Sequence, residues 1–288
     1  MKKVYKSENS EKVMMELYDK QLAKLDIPYE DLYIDTRFGK THVIRTGNPD
    51  GKPVLLFHGG NSTAPYYLSG FKSLLRTFSV YAVDTMGHPG KSAKTVLSAK
   101  TMDYGIWASD VITGLGFEKM RCMGGSYGGG VLVKLMCVSP EKIEKSVLIV
   151  PSGIANVSTA NVMFSMGIPM VIYIITKSDR WMIKSVLQMA IEEKNIDEDT
   201  FEMVKCSFDN AVVKAGMPSN VPQDVFRKCT APTFLIAAEK DCLFPGEKVI
   251  AKAKEILPNL KPILLKGQGH LCTLPDDVME EVREFLEN

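Results

Sequence analysis

The pentapeptide Gly124-Gly125-Ser126-Tyr127-Gly128 holds a serine in a G-x-S-x-G arrangement between an apolar strand-like run and a helix-like run, Val131 to Val138. A serine on a sharp strand-to-helix turn takes strained backbone angles, and side chains two positions before and after it would collide. Gly124 and Gly128 remove those side chains. Such a turn lifts the Ser126 hydroxyl clear of the sheet and places the Tyr127 N–H at a helix N-terminus, where negative charge is favoured. A bare five-residue match also arises by chance as an ordinary glycine-rich turn. The flanking strand and helix are the context that favours a nucleophile.

A serine hydroxyl is a weak nucleophile and needs a base. Imidazole can take its proton and later return it to a leaving group. Of the four histidines, His42 falls on an early strand and His58 and His88 lie in loops with other work. His270, in Gly267-Gln268-Gly269-His270, is therefore the expected base. A carboxylate would hold its imidazole in one tautomer and stabilise the imidazolium. Asp241 is favoured for this; Glu239, two residues earlier, and Asp84, at the end of another strand, are its rivals.

The elements that must position these residues are legible as apolar patterning. Residues 8–25 read as an amphipathic surface helix and residues 32–46 as a hairpin across Phe38-Gly39-Lys40. Buried strands follow at 53–57, 79–83 and 146–150, with a further strand leading into the Ser126 elbow and helices at 65–76, 102–115 and 131–138 between them. Strands alternating with helices at this pitch predict an α/β fold, a mostly parallel central sheet with helices on both faces. From 154 to 221 the alternation stops and the pattern reads as helices only: one near 157–166, one or two between 169 and 191, and one with Phe201, Val204, Phe208 and Val212 on a single face. Seven of the sixteen methionines fall there, suiting either a lid over an apolar pocket or plain helix packing. A strand at 232–237, a helix at 246–256, a strand at 261–265 and a helix at 275–286 restore the alternation. The expected division is a core of residues 1–150 plus 222–288 and a helical cap, or lid, of residues 151–221.

Composition removes several function classes. At 288 residues a sizeable core is available, and 35 Lys and Arg against 34 Asp and Glu leave a formal charge of +1. No electrostatic case exists for nucleic acid or an anionic membrane. The polar start Met1-Lys2-Lys3-Val4-Tyr5-Lys6 has no apolar core segment, so a cytoplasmic protein is expected. The longest apolar run, 162–175, is shorter than a bilayer span and is broken by Gly167 and Pro169. Six cysteines without a C-x-x-C pair suggest neither a zinc site nor a disulfide scaffold. Cys242 and Cys272 flank the expected acid and base and are read as bystander thiols rather than redox switches.

Ser126, Asp241 and His270 each follow a strand, at the edge where parallel sheets bind ligands. Their chain order and the elbow give the sequence a resemblance, over nearly its whole length, to the serine hydrolases of the α/β-hydrolase fold that carry a helical cap. The resemblance implies Ser126 as nucleophile, Asp241 as acid and His270 as base. His58-Gly59-Gly60-Asn61 resembles the family's oxyanion loop, which implies the Gly60 N–H as a second donor beside that of Tyr127. Asp84-x-x-Gly87-His88-Pro89-Gly90-Lys91-Ser92 resembles the family's structural D-x-x-G-H-G-x-S loop, with Pro89 in place of a glycine. Some members place the acid after the strand preceding the cap, but Pro151-Ser152-Gly153 there offers no carboxylate. Ser126 also argues against the aspartate-nucleophile epoxide hydrolases and haloalkane dehalogenases. No cofactor or metal is implied. The implied activity is that of a carboxylesterase cleaving a small to medium apolar ester through an acyl-enzyme. The alternatives on the same triad are thioester, amide or peptide, lactone or carbon–carbon bond hydrolysis, acyl transfer and peroxidase-like chemistry, or a ligand-sensing protein with a slow triad.

Overall fold

A computed structural model describes residues 3–157, 167–212, 216–226 and 228–288. Among these, eight strands form one sheet in the order β1-β2-β4-β3-β5-β6-β7-β8. The hairpin β1 (Tyr29–Thr36) and β2 (Gly39–Gly47) is antiparallel and joins β4 (Ser79–Val83) antiparallel. From β4 onward the sheet is parallel, through β3 (Pro53–Phe57), β5 (Met120–Gly125), β6 (Ile143–Ile149), β7 (Thr233–Ala238) and β8 (Leu260–Leu265). Strands β4, β5 and β7 are buried at every position, as expected of strands covered on both faces.

The covers are two helical layers. On one face α3 (Asp103–Gly114), α4 (Tyr127–Val138), α8 (Gln223–Phe226) and α9 (Gly246–Ile256) bring Trp107, Val131, Phe226 and Val249 onto Leu55, Cys122 and Leu235. On the other, α1 (Glu8–Leu25), α2 (Ala64–Ser69) and α10 (Asp276–Glu287) pack Tyr18, Leu68 and Val282 against Val54, Met123 and Phe234. The expected helix over 65–76 is broken. Gly70 ends α2, and the chain continues as a short 3-10 turn at Lys72–Arg76, since glycine is a poor helix interior residue.

Between β6 and β7 lie α5 (Ile168–Thr176), α6 (Asp179–Ala190) and α7 (Glu198–Asn210). The helix expected near 157–166 falls outside the described residues. The helix expected to include Val212 stops at Asn210. There the N-terminal segment captures the backbone instead, with Tyr5 bridging Ala211 and the Val212 N–H donating to the Val4 carbonyl at 2.8 Å. Helix α1 lies between the core and α7, and its contacts include the ion pair Lys20–Glu202 at 2.7 Å and Met14 and Leu17 beside Met203. Met170, Met182 and Met189 belong to the apolar cluster of α5, α6 and α7 together with Tyr173 and Phe201. Among the described residues, no helix is long and apolar enough to cross a membrane.

Candidate active site

Strand β5 runs directly into α4 with Ser126 between them, at φ 51° and ψ −114°. A side chain in that left-handed region costs on the order of 1–3 kcal/mol and persists only where the surroundings impose it. Here they do. The Ser126 N–H donates to the Ile149 carbonyl at 2.9 Å, and the Ser126 carbonyl accepts from the amides of Gly130 and Ser152, each at 3.1 Å, and from the Ser152 hydroxyl. Both glycines are sterically required, but the obstacle is backbone rather than the collision of two side chains with each other. A methyl on Gly124 would lie 2.5 Å from the Gly128 carbonyl oxygen, whereas one on Gly128 would strike the carbonyls of Phe57 and His58. The second glycine thus lets the elbow helix approach the end of β3.

The turn presents the Ser126 hydroxyl to His270, whose Nε2 lies 2.8 Å from Oγ. Asp241 stands behind the imidazole, with Oδ2 2.8 Å from His270 Nδ1. The other carboxylate oxygen accepts the amides of Leu243 at 2.7 Å and Phe244 at 2.9 Å, so the turn after β7 fixes the acid. Asp241 and His270 are both buried. An acceptor-only carboxylate on Nδ1 requires a proton there, which leaves Nε2 to accept from the serine. The Phe244 ring meets His270 edge-on, with centroids 5.3 Å apart.

The rival carboxylates are engaged elsewhere. Glu239 accepts the Gly267 amide at 2.8 Å, tying the end of β7 to the loop that precedes His270. Asp84 Oδ2 lies 2.8 Å from His42 Nδ1 and accepts the Tyr18 hydroxyl at 3.1 Å and the Lys91 amide at 2.8 Å. Its loop therefore closes on itself with Pro89 in place. Asp31 faces the other nitrogen of His42 at 2.6 Å, and this partner together with Lys91 holds the Asp31 carboxyl below its ordinary range against the opposing effect of burial.

The loop His58-Gly59-Gly60-Asn61, expected to supply an oxyanion donor, packs on the elbow. A methyl on Gly59 would lie 3.8 Å from Ser126 Cβ, and one on Gly60 would lie 3.3 Å from Tyr127 Cβ. His58 fixes that loop. Its Nε2 accepts the Thr85 amide at 3.0 Å, so the proton sits on Nδ1 and is donated to the Gly59 carbonyl at 2.8 Å. Full burial pushes the His58 pKa down and keeps it neutral. The Tyr127 amide is the first of α4, where N–H groups have no intrahelical partner.

Burial also raises the thiols beside Asp241 and His270, Cys242 to about 11 and Cys272 to about 12, with the Asp241 charge adding to each. Neither has the depressed pKa of a reactive cysteine. Other neighbours carry no mark in the sequence. The Tyr67 hydroxyl lies against Gly125, and the turn after α6 touches Gly269, beside His270. Tertiary packing alone brings both there.

Eight strands in this order, helices on both faces and a serine elbow facing a histidine and an aspartate at the carboxyl edge define the α/β-hydrolase fold. A model of that fold matches residues 52–167. The chain is 27% identical to carboxylesterase YbfK of Bacillus subtilis over 93% of its own length and 92% of that protein's. Its structure resembles naproxen esterase (carboxylesterase NP) of B. subtilis with a TM-score of 0.83 at 21% identity, covering 97% of this chain and 99% of the other. It also resembles carboxylesterase CesB (YbfK) of B. subtilis with a TM-score of 0.79 at 22% identity, covering 96% and 98%. The chain is a hydrolase of the α/β-hydrolase fold, related over nearly its whole length to bacterial carboxylesterases.

Proposed function

We propose that the protein hydrolyses small to medium apolar carboxylic esters in the cytoplasm, with Ser126 as nucleophile, His270 as base and Asp241 as acid. The single observation that carries this reading is that His270 joins Ser126 to Asp241 through two hydrogen bonds of 2.8 Å each, Nε2 to the serine Oγ and Nδ1 to the carboxylate Oδ2. In the first half-reaction Ser126 Oγ attacks the ester carbonyl carbon while its proton passes to His270 Nε2. The carbonyl oxygen becomes an oxyanion within reach of the Gly60 and Tyr127 amides. Collapse of this intermediate expels the alcohol, which takes the proton from His270, and leaves an acyl group on Ser126. Water then repeats the sequence, giving its proton to His270 and releasing the acid and the free serine. Losing one oxyanion donor typically costs ~10² to 10³ in rate, so two aimed amides supply several kcal/mol.

Residues 151–221 act as a cap over this edge in the same reading, and their apolar helices select the acyl or alcohol group. The chemistry requires no metal, cofactor, nucleic acid or membrane. The kinship with carboxylesterases favours an oxygen ester over the other bonds such a triad can cleave.

The test is turnover of p-nitrophenyl esters of rising acyl length by the native chain and by Ser126→Ala, with fluorophosphonate labelling of both. Turnover and labelling should vanish in the variant, as removal of such a nucleophile can cost ~10⁶. Equal inertness of both proteins would count against ester hydrolysis.

A further inference from the structure

The catalytic histidine sits in a loop without regular secondary structure, and that loop is held by two different parts of the molecule. Upstream, the core secures residues 267 and 268, through the Glu239 carboxylate on the Gly267 amide and the Lys240 amide on the Gln268 carbonyl at 2.9 Å. Gly269 and Leu271, which bracket His270, are instead held by the last turn of α6. The Leu271 N–H donates to the Met189 carbonyl at 3.0 Å, and the Leu271 side chain joins the apolar cluster of Tyr173, Met182 and Val186. On the other flank a methyl on Gly269 would strike the Met189 carbonyl oxygen and lie 2.7 Å from Ile191 Cγ1.

Ile191 closes α6 at φ 70° and ψ −45°, with its N–H donating to the Leu187 carbonyl at 2.8 Å. Glycine or asparagine is the usual residue for a left-handed helix end, and a β-branched one there is an outlier that the surroundings must enforce. Its side chain packs over Gly269, a cover that a glycine at this position would not supply. Strain at such a position points to a role beyond ending a helix.

We infer that Met189 and Ile191 are positioning residues for His270, a clamp by which the segment between β6 and β7 sets the orientation of the base. This deepens the proposed esterase reading and rests on it for its kinetic consequence. The Met189 carbonyl and the Ile191 side chain fix the backbone on both sides of His270, Asp241 fixes its ring, and together they hold Nε2 on the Ser126 hydroxyl. The clamp touches no reacting atom. Loosening it lowers the rate of proton transfer without weakening substrate binding, because a misplacement of a fraction of an ångström is felt only in the transition state.

The test uses the full chain with Ile191→Gly, which removes the cover and relieves the backbone strain, Gly269→Ala, which drives the two segments apart from the other side, and Ile191→Val, which keeps a branched cover. For Ile191→Gly and Gly269→Ala, kcat on a p-nitrophenyl ester should fall about tenfold or more with KM changed less than about twofold, and Ile191→Val should stay near native. The downfield proton resonance of His270 Nδ1–H against Asp241, which needs no substrate, should broaden in the first two and persist in the third. An unchanged kcat and an unchanged resonance in both Ile191→Gly and Gly269→Ala would overturn the inference. So would a loss confined to KM, which would make Ile191 a substrate contact. If the native protein neither turns over esters nor takes the fluorophosphonate, the esterase reading fails while the resonance alone still decides the clamp.

Discussion

Asp241 meets His270 through one carboxylate oxygen at 2.8 Å and spends the other on the Leu243 and Phe244 amides. The carboxylate is thereby oriented before the imidazole is considered, and an amide in its place would inherit that orientation. In Asp241→Asn the oxygen keeps the two backbone donors, and the NH₂ group faces His270 Nδ1. That nitrogen must then accept, which moves the imidazole proton to Nε2, where it opposes the Ser126 hydroxyl instead of receiving its proton. Asp241→Asn is expected to fold normally and to lose ~10³ to 10⁴ in kcat, with KM little changed. Steady-state kinetics on a p-nitrophenyl ester checks this, and a loss below about tenfold would reassign the acid.

The elbow makes a prediction of opposite sign for stability. Ser126 is held at φ 51°, which a glycine adopts without cost. Ser126→Gly and Ser126→Ala should both be inactive, but the glycine variant should be the more stable by about 1–2 kcal/mol. The comparison between the two inactive variants matters because each loses the hydrogen bond to His270. Urea unfolding of both at one pH measures the difference, and equal midpoints would mean that the elbow is not strained in solution.

The parts of the site that could be read in advance are those whose constraint is local. A serine between glycines, with a strand before it and a helix after it, carries its own steric logic, and so the elbow is visible in five residues. His270 is legible by elimination, because only four histidines exist and the other three belong to other elements. Choosing between Glu239 and Asp241 is harder, since residue type does not separate them. What separates them is the end of β7: the Glu239 amide still donates to Leu265 at 3.0 Å, whereas Asp241 lies past the strand, in the turn whose amides it accepts. The embrace of Asp84 by His42 and Tyr18 and the contact of Ile191 with Gly269 have no signature in spacing. They join segments far apart in the chain through packing, which no local pattern encodes. Helix α2 is the converse case, where an apolar period running through Gly70 suggested continuity that the glycine in fact interrupts.

His58 should impose a pH dependence on stability that is separate from catalysis. Its folded pKa lies below the ordinary value of 6.5 because burial penalises the charged ring, and its Nε2 is committed to accepting the Thr85 amide. The unfolded chain therefore binds a proton in a window where the folded chain does not. Stability contributed by this site is fully present above about pH 6.5 and declines as pH falls from there toward the depressed folded value. Asp31 has the same sign in a lower window, with its contribution lost only as pH falls below the ordinary carboxylate value of 3.8. Urea unfolding at pH 7.5 and pH 5.5 should thus show a loss in the native protein in which carboxylates of ordinary or depressed pKa take little part. In His58→Gln, where the side-chain amide oxygen can accept a backbone N–H without titrating, the midpoint at pH 7.5 should be lower but the loss on going to pH 5.5 should shrink. An equal loss in both proteins would place the acid sensitivity at another group and leave His58 charged or solvated in the folded state.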